Sequence, residues 1–368
     1  MIAIGGAIGT GLFLGSGNRF EIAGPGLAIV YAICGIFAFI VVRALGELAL
    51  YRPSSGAFVS YAREFFGEKG AYTVGWLYFL DWAATLVADI TAVAVYTHFW
   101  SFFLPVPQWL IALIALAVVL TMNLISVKLF GEMEFWFAFI KVGAIILFGV
   151  IGIWAVVTQH PIDGTVPGFS LIAENGGLIP NGIGSLFAIT LGVVFAFAGI
   201  EMAGTAPRFA KRMNKSGIPY GGILITSIVG IPGVILNVLM PEDAFALMVN
   251  ISGIGTVAAW SSIMLSHWAF VRKSRRGEVT RPAFKLPFAP FLNAFTLGFL
   301  LLVVVLIGFD GEIGRLTLVL TAIIGVFLLI GWFGVRGRIN AAAMTESMDV
   351  VSSIAPLEDP VKDNPNEK

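Results

Sequence analysis

Hydrophobic positions in this chain come in long unbroken runs rather than in the short stripes of an amphipathic helix or the alternation of a strand. Ten stretches run close to the roughly 20 residues that a helix needs to cross a hydrocarbon core of about 30 Å. They cover about residues 1–17, 27–50, 70–101, 107–127, 133–158, 183–206, 219–240, 243–271, 288–309 and 314–335. Barrel strands are about ten residues long and alternate in polarity, so the pattern predicts an all-α, polytopic transmembrane helix bundle. The N-terminal run has no basic lead and is followed by further spans, so it is read as the first span and not as a cleaved signal.

Polar residues punctuate this pattern in a directional way. With the N-terminus inside, the inner loops hold Arg52, Arg63, Lys69, Lys128, Arg208, Lys211, Arg212 and Lys215, the run Arg272 to Lys285, and Arg336 and Arg338. The outer loops hold only Arg19 and Arg315. The excess of Lys and Arg on one side predicts cytoplasmic N- and C-termini and an even number of spans, and it accounts for the basic run without a nucleic-acid partner. Residues 53–69 mix Phe58, Tyr61, Phe65 and Phe66 with Arg63, Glu64, Glu68 and Lys69, the pattern of a helix lying at the inner interface. Arg43 and Glu47, one turn apart near the inner end of the second span, read as an interfacial pair. From Ala341 the tail is acidic and poor in apolar residues, which predicts disorder.

Composition sharpens the class. Of 368 residues 58% are hydrophobic and 12% charged, and the formal net charge is zero, a balance that no soluble globular domain shows. The single cysteine, Cys34, rules out an internal disulfide and reads as a small buried hydrophobe. His98, His160 and His267 share no metal-binding spacing, and no nucleophile elbow or paired acid cluster supports an enzyme or a cofactor.

Two spans depart from continuous helix. The first reads IGGAIGTGLFLGSG, with glycines at 5, 6, 9, 11, 15 and 17. Glycine costs roughly 1 kcal/mol in a helix interior, so this density favours an unwound segment, which at membrane depth must line a cavity or be buried in protein. The same glycines are spaced GxxxG, as for close helix packing, and the residues alone leave both readings open. The sixth span reads VVFAFAGIEMAGTA, with Gly199 beside Glu201. Asp81 and Asp89 in the third span and Lys141 in the fifth add three more ionisable groups at membrane depth, where each is expensive enough to require a cavity or a partner. Such groups mark a proton or substrate path, or buried pairs and snorkelling side chains.

In order along residues 1–206, IAIGGAIGTGLFLGSG, GPGLAIVYAICG, RALGEL, RPSSGAFVSYAREFFGEKGAYTVGWLYFLDW, KLFGEMEFWFAFIKV and FAFAGIEMAGTA resemble bacterial amino-acid permeases of the amino acid, polyamine and organocation superfamily. RPSSGAFVSYAREFFGEK, FKLP and IGWFGVRGR look most like the members that carry L-asparagine. The resemblance implies a twelve-helix fold of two inverted five-helix repeats plus two further spans, in the plasma membrane, with an amino acid held between the breaks of the first and sixth spans. It implies that amides near Gly9, Thr10 and Gly11 take the substrate carboxylate and that carbonyls of Ala7, Phe195 and Ala198, beside Gly199, take its ammonium. It implies proton coupling through Lys141, Glu201 or Asp89; Asp81 has no counterpart in the pattern.

After Ala206 the family text jumps to PRFAKRMNKSGIPYGG, which resembles the loop before the ninth family span. The chain therefore reads as residues 1–206 carrying six spans, 207–340 carrying four that resemble family spans nine to twelve, and a tail, 341–368. Two spans are missing together, so the orientation pattern survives. The expected function is proton-coupled amino-acid uptake with an L-asparagine-like substrate, altered by the internal loss. The alternative is a non-transporting permease remnant or a membrane partner subunit.

Overall fold

The computed structural model describes residues 8–54, 56–125, 127–201 and 220–354. Eleven α-helices make up nearly all of it, and the described residues contain no strand, only an isolated bridge between Ile162 and Thr165. In chain order the helices are α1 (Thr10–Ala23), α2 (Leu27–Tyr51), α3 (Ala57–Thr97), α4 (Gln108–Ile125), α5 (Val127–Thr158), α6 (Ser170–Glu174), α7 (Ile183–Ala196), α8 (Tyr220–Leu239), α9 (Ala244–Arg275), α10 (Phe291–Leu306) and α11 (Gly311–Ile354).

Six stretches among the described residues are long and apolar enough to cross a membrane, and three apolar helices are shorter. One of the six, Thr10–Tyr51, contains two of the expected spans, α1 and α2, joined through the short 3-10 turn Gly24–Gly26. All ten spans read from the hydrophobic pattern are thus represented. α5 and α11 lie at the periphery with almost no residues covered by protein. Their membrane-length stretches, 132–158 and 311–337, are strongly apolar, which suits contact with lipid.

The amphipathic segment before the third span is the opening limb of α3. It joins the span at Gly67, whose φ of 71° is a left-handed conformation that breaks the helical path there. The limb is held by Arg63 to Glu68 at 2.8 Å, and Tyr61 donates to the Arg52 carbonyl at 2.8 Å. At the other end of the chain, α11 continues helical to Ile354, into the segment that its composition marks as disordered.

The core is centred on α2, α3, α7, α9 and α10. Trp260, Phe58, Phe270 and Ile263 are buried there, and Phe37 stacks on Phe299 with ring centroids 3.8 Å apart. α9 lies along α3 over most of its length. The contact is close because Gly255 has no side chain where Asp81 crosses it.

Near the C-terminal end of α2, Glu47 does not pair with Arg43. Its carboxylate accepts from Arg281 Nε at 2.6 Å, from the Leu286 amide at 2.6 Å and from His267 at 2.9 Å, with Glu47 and His267 both fully buried. Arg43 instead stacks over Phe284, 3.3 Å from the ring centroid, and donates to the Lys285 carbonyl. The loop before α10 supplies better-placed partners than a neighbour on the same helix.

Candidate functional site

The described residues show a helix that starts within the first glycine-rich segment and a helix that ends within the second. α1 starts only at Thr10, behind Gly9, whose φ of −125° and ψ of −165° are extended. The first amides of a helix have no partner within it, so those of α1 open toward whatever lies before the break. A Cβ added at Gly9 would meet nothing within 4 Å, so there is open space beside the break. Ala7 lies outside the described residues.

The second break follows α7. Ala196 ends the helix, and residues 197–200 turn, with Gly199 at φ 94°. The Ala198 amide donates to the Phe195 carbonyl at 2.9 Å, and the Phe197 amide points to the same carbonyl and to that of Val194. Glu201 folds back on this turn: it accepts from the Gly199 amide at 3.2 Å and from Trp260 Nε1 at 3.2 Å, and is fully buried.

The two breaks touch. A Cβ on Gly11 would sit 2.7 Å from the Phe195 ring and 3.2 Å from the Ala196 backbone, so only glycine lets α1 approach α7 this closely. Thr10 donates its hydroxyl to Asp89 at 2.7 Å, and Lys141 is near enough to Asp89 for their charges to interact. Gly9, Thr10, Gly11, Phe195 and Asp89 therefore come together, with the charge of Lys141 close enough to act on Asp89. Ala198, Gly199 and Glu201 adjoin this group through the second break, with Glu201 turned toward Trp260.

Asp81 lies in the contact between α3 and α9, near enough to Glu201 for their charges to interact. It accepts hydrogen bonds from Ser252 and, at 3.3 Å, from Thr256, while Thr85 and Ser252 share a bond of 2.8 Å. A buried acid satisfied by hydroxyls of a facing helix ties the two helices together.

Arg19 is the largest departure from the sequence reading, which set it in an outer loop. It is 6% exposed, lying between α1 and α7 where both Gly15 and Gly192 lack side chains, and its Nη1 donates to the Gly11 carbonyl at 2.7 Å. Trp260, Asn250 and Asp310 have no signal in the sequence, because only the packing of α9 brings Trp260 to Glu201 and Asn250 to Asp310, in the turn before α11.

Comparison with known proteins agrees with this architecture. The family model described as amino acid permease matches residues 1–206 and 202–343. The L-asparagine permease of Streptomyces coelicolor is 43% identical over 443 positions, covering 94% of this chain and 91% of the relative. That of Escherichia coli is 42% identical, covering 92% and 87%, and L-asparagine permease 1 of Mycobacterium tuberculosis is 40% identical, covering 93% and 90%. An alignment of 443 positions against 368 residues leaves at least 75 positions of the Streptomyces protein without a counterpart. The two family matches adjoin at residues 202–206, beside the point where the family text jumps. With two helix ends that touch at Gly11 and Phe195 in a multi-pass bundle and a family match along nearly its whole length, this chain belongs to the amino acid permease family.

Proposed function

We propose that this protein is a proton-coupled amino-acid importer of the plasma membrane, with both termini cytoplasmic and a preference for L-asparagine or a close analogue. The observation that carries this reading is the meeting of the two breaks at Gly11 and Phe195. Amides at the start of α1 carry partial positive charge suited to a carboxylate. Carbonyls beyond the end of α7 suit an ammonium. A free α-amino acid has both groups at one carbon, so a site between the breaks holds it by features common to all amino acids and leaves the side chain to set preference. The three relatives above, each named an L-asparagine permease, support a carboxamide side chain.

Coupling is assigned to Asp89, Lys141 and Glu201. Asp89 bridges Thr10, at the first break, to the charge of Lys141. A proton gained or lost at this pair changes what holds Thr10, and so the geometry of the amides beside it. Glu201 holds the second break through Gly199 in the same manner.

The test is uptake of radiolabelled L-asparagine into proteoliposomes with an imposed proton gradient. Uptake that rises with an inward gradient and is lost in Gly11→Leu supports the reading, and uptake indifferent to the gradient overturns the coupling.

Three observations favour the second reading, a permease that binds without transporting. α9 lies along α3, Trp260 covers Glu201, and at least 75 positions of the Streptomyces relative have no counterpart. Alternating access requires one helix group to move against another, and a bundle closed in this way has lost part of the moving set. Saturable L-asparagine binding without uptake identifies this case.

A further inference from the structure

A cavity opens where the C-terminal part of α1, the start of α7, the start of α9 and the turn before α11 converge, at the end of the bundle that the charge rule places outside. Asn18, Arg19, Gly192, Phe245, Asn250 and Asp310 are among its lining residues. Its volume is about 60 Å³, opening into about 430 Å³ of free space that includes its mouth. A single water needs roughly 10–15 Å³ by the same measure, so the interior takes a group of about five heavy atoms and leaves more room toward the mouth.

The chemistry of the lining is one-sided in depth. Arg19 lies in the wall of the cavity, nine-tenths buried, with one nitrogen donating to the Gly11 carbonyl and the side chain also hydrogen-bonded to Tyr31. Among the described residues no carboxylate lies within ion-pair distance of it. A buried guanidinium without a paired anion is costly, and its planar fork is shaped to receive a carboxylate. Asp310 lines the same cavity, and Asn250 donates to its Oδ2 at 2.6 Å, which fixes the carboxylate's orientation. A cation and an anion across a space of this size form a receptor for a zwitterion.

We propose that this cavity is a second, outward-facing site for a free α-amino acid, with the substrate carboxylate on Arg19 and its ammonium on Asp310. It rests on the amino-acid reading of the permease but is distinct from the site between the breaks. The guanidinium of Arg19 stands between the two, touching the cavity on one side and the first turn of α1 on the other. An amino acid drawing Arg19 toward the cavity weakens its bond to Gly11, so the outer site loads the molecule and loosens the barrier to the inner one.

Cysteine protection tests this. Cys34 is the only cysteine and is buried, so a thiol introduced by Ala246→Cys, at a partly exposed cavity position, is the accessible one. The full chain carrying Ala246→Cys, in proteoliposomes, is treated with a membrane-impermeant maleimide in the presence of L-asparagine, glycine or propionamide. The expected result is slower labelling with both amino acids and no change with propionamide. Protection persists when Gly11→Leu is added to close the inner site, and needs roughly tenfold more amino acid with Asp310→Asn, the scale for losing a charged partner. Arg19→Gln removes it, and Asp310→Asn keeps the test decisive if Arg19→Gln does not fold. Absence of labelling, absence of protection, protection abolished by Gly11→Leu, or protection indifferent to Asp310→Asn each overturns the proposal. Uptake without protection overturns the outer site and leaves the importer reading standing; protection without uptake does the reverse.

Discussion

Thr10 donates its hydroxyl to Asp89 at 2.7 Å, joining the first helix break to α3 by a side-chain bond across 79 residues of sequence. Thr10 is the first residue of α1, so the bond anchors the end of the helix whose amides face the proposed substrate. Thr10→Val keeps the shape and leaves Asp89 without this partner. We expect a loss of thermal stability corresponding to about 1–3 kcal/mol, the penalty for an unsatisfied buried acceptor, together with weaker L-asparagine binding. Thr10→Ser retains the bond and stays near wild type in both. Thermal unfolding and calorimetry on the three proteins check this; equal loss in both variants removes the hydrogen bond from the explanation.

Gly11 and Phe195 make a second test of the breaks. Gly11→Ala puts a methyl group 2.7 Å from the Phe195 ring, closer than side-chain carbons pack. Overpacking of this kind costs about 1–3 kcal/mol. Combining it with Phe195→Ala makes room for the methyl, so the double variant is more stable than the sum of the single losses implies. Such non-additivity is what contact between two residues produces. Strict additivity shows that α1 and α7 do not meet here in the membrane.

How far these features were readable in the chain depends on the distance over which each is determined. Span positions follow from local composition, because a lipid core demands apolar side chains wherever a helix crosses it. The breaks were readable in part: the glycines of IGGAIGTG and the Gly199–Glu201 pair point to unwinding, but Gly11 turns out to serve close packing as well. The close-packing reading holds at Gly11, while the unwound reading turns on residues 1–7, which lie outside the described residues. Arg19 was not readable. Its burial needs Gly15 and Gly192 to face each other across two helices, and the sequence around it is that of a loop. Asp81 gives the opposite lesson. It matched no family pattern, and its partners Ser252 and Thr256 reach it because α9 lies beside α3.

The buried cluster around Glu47 predicts a strong effect far from the substrate. Its carboxylate is fully buried and accepts from Arg281, His267 and the Leu286 amide, while Asn293 lies 2.9 Å from the other nitrogen of His267. Removing one side of a buried, hydrogen-bonded charge pair typically costs about 3–5 kcal/mol. Glu47→Ala leaves Arg281, 19% exposed, and the Leu286 amide without their acceptor. We expect poor recovery of folded protein and a lowered unfolding temperature, with Arg281→Gln milder because its side chain can reach water. Arg43→Ala, which loses only the stacking on Phe284 and a bond to the Lys285 carbonyl, costs about 1–2 kcal/mol. A ranking with Arg43→Ala worst contradicts the pairing seen here.

Asp310 lies between two spans, and burial is the main influence on its carboxyl, raising it above the ordinary carboxylate range against the opposing pulls of the Asn250 hydrogen bond and the Arg19 charge. Only the deprotonated form offers a charge to a substrate ammonium. As pH falls through this raised value the carboxylate takes a proton, and the outer site loses its anion while Arg19 stays charged. Protection of Ala246→Cys by glycine should therefore be full near neutral pH and fade on acidification, starting at a higher pH than an exposed aspartate would give. Glycine is zwitterionic throughout that window, so the change belongs to the protein. Asp310→Asn should show weak protection with no such pH dependence. Labelling rates measured at a series of pH values, each normalised to the rate without amino acid to remove the thiol's own ionisation, separate the two. If wild-type protection is as flat as that of Asp310→Asn, the ammonium is held by another group.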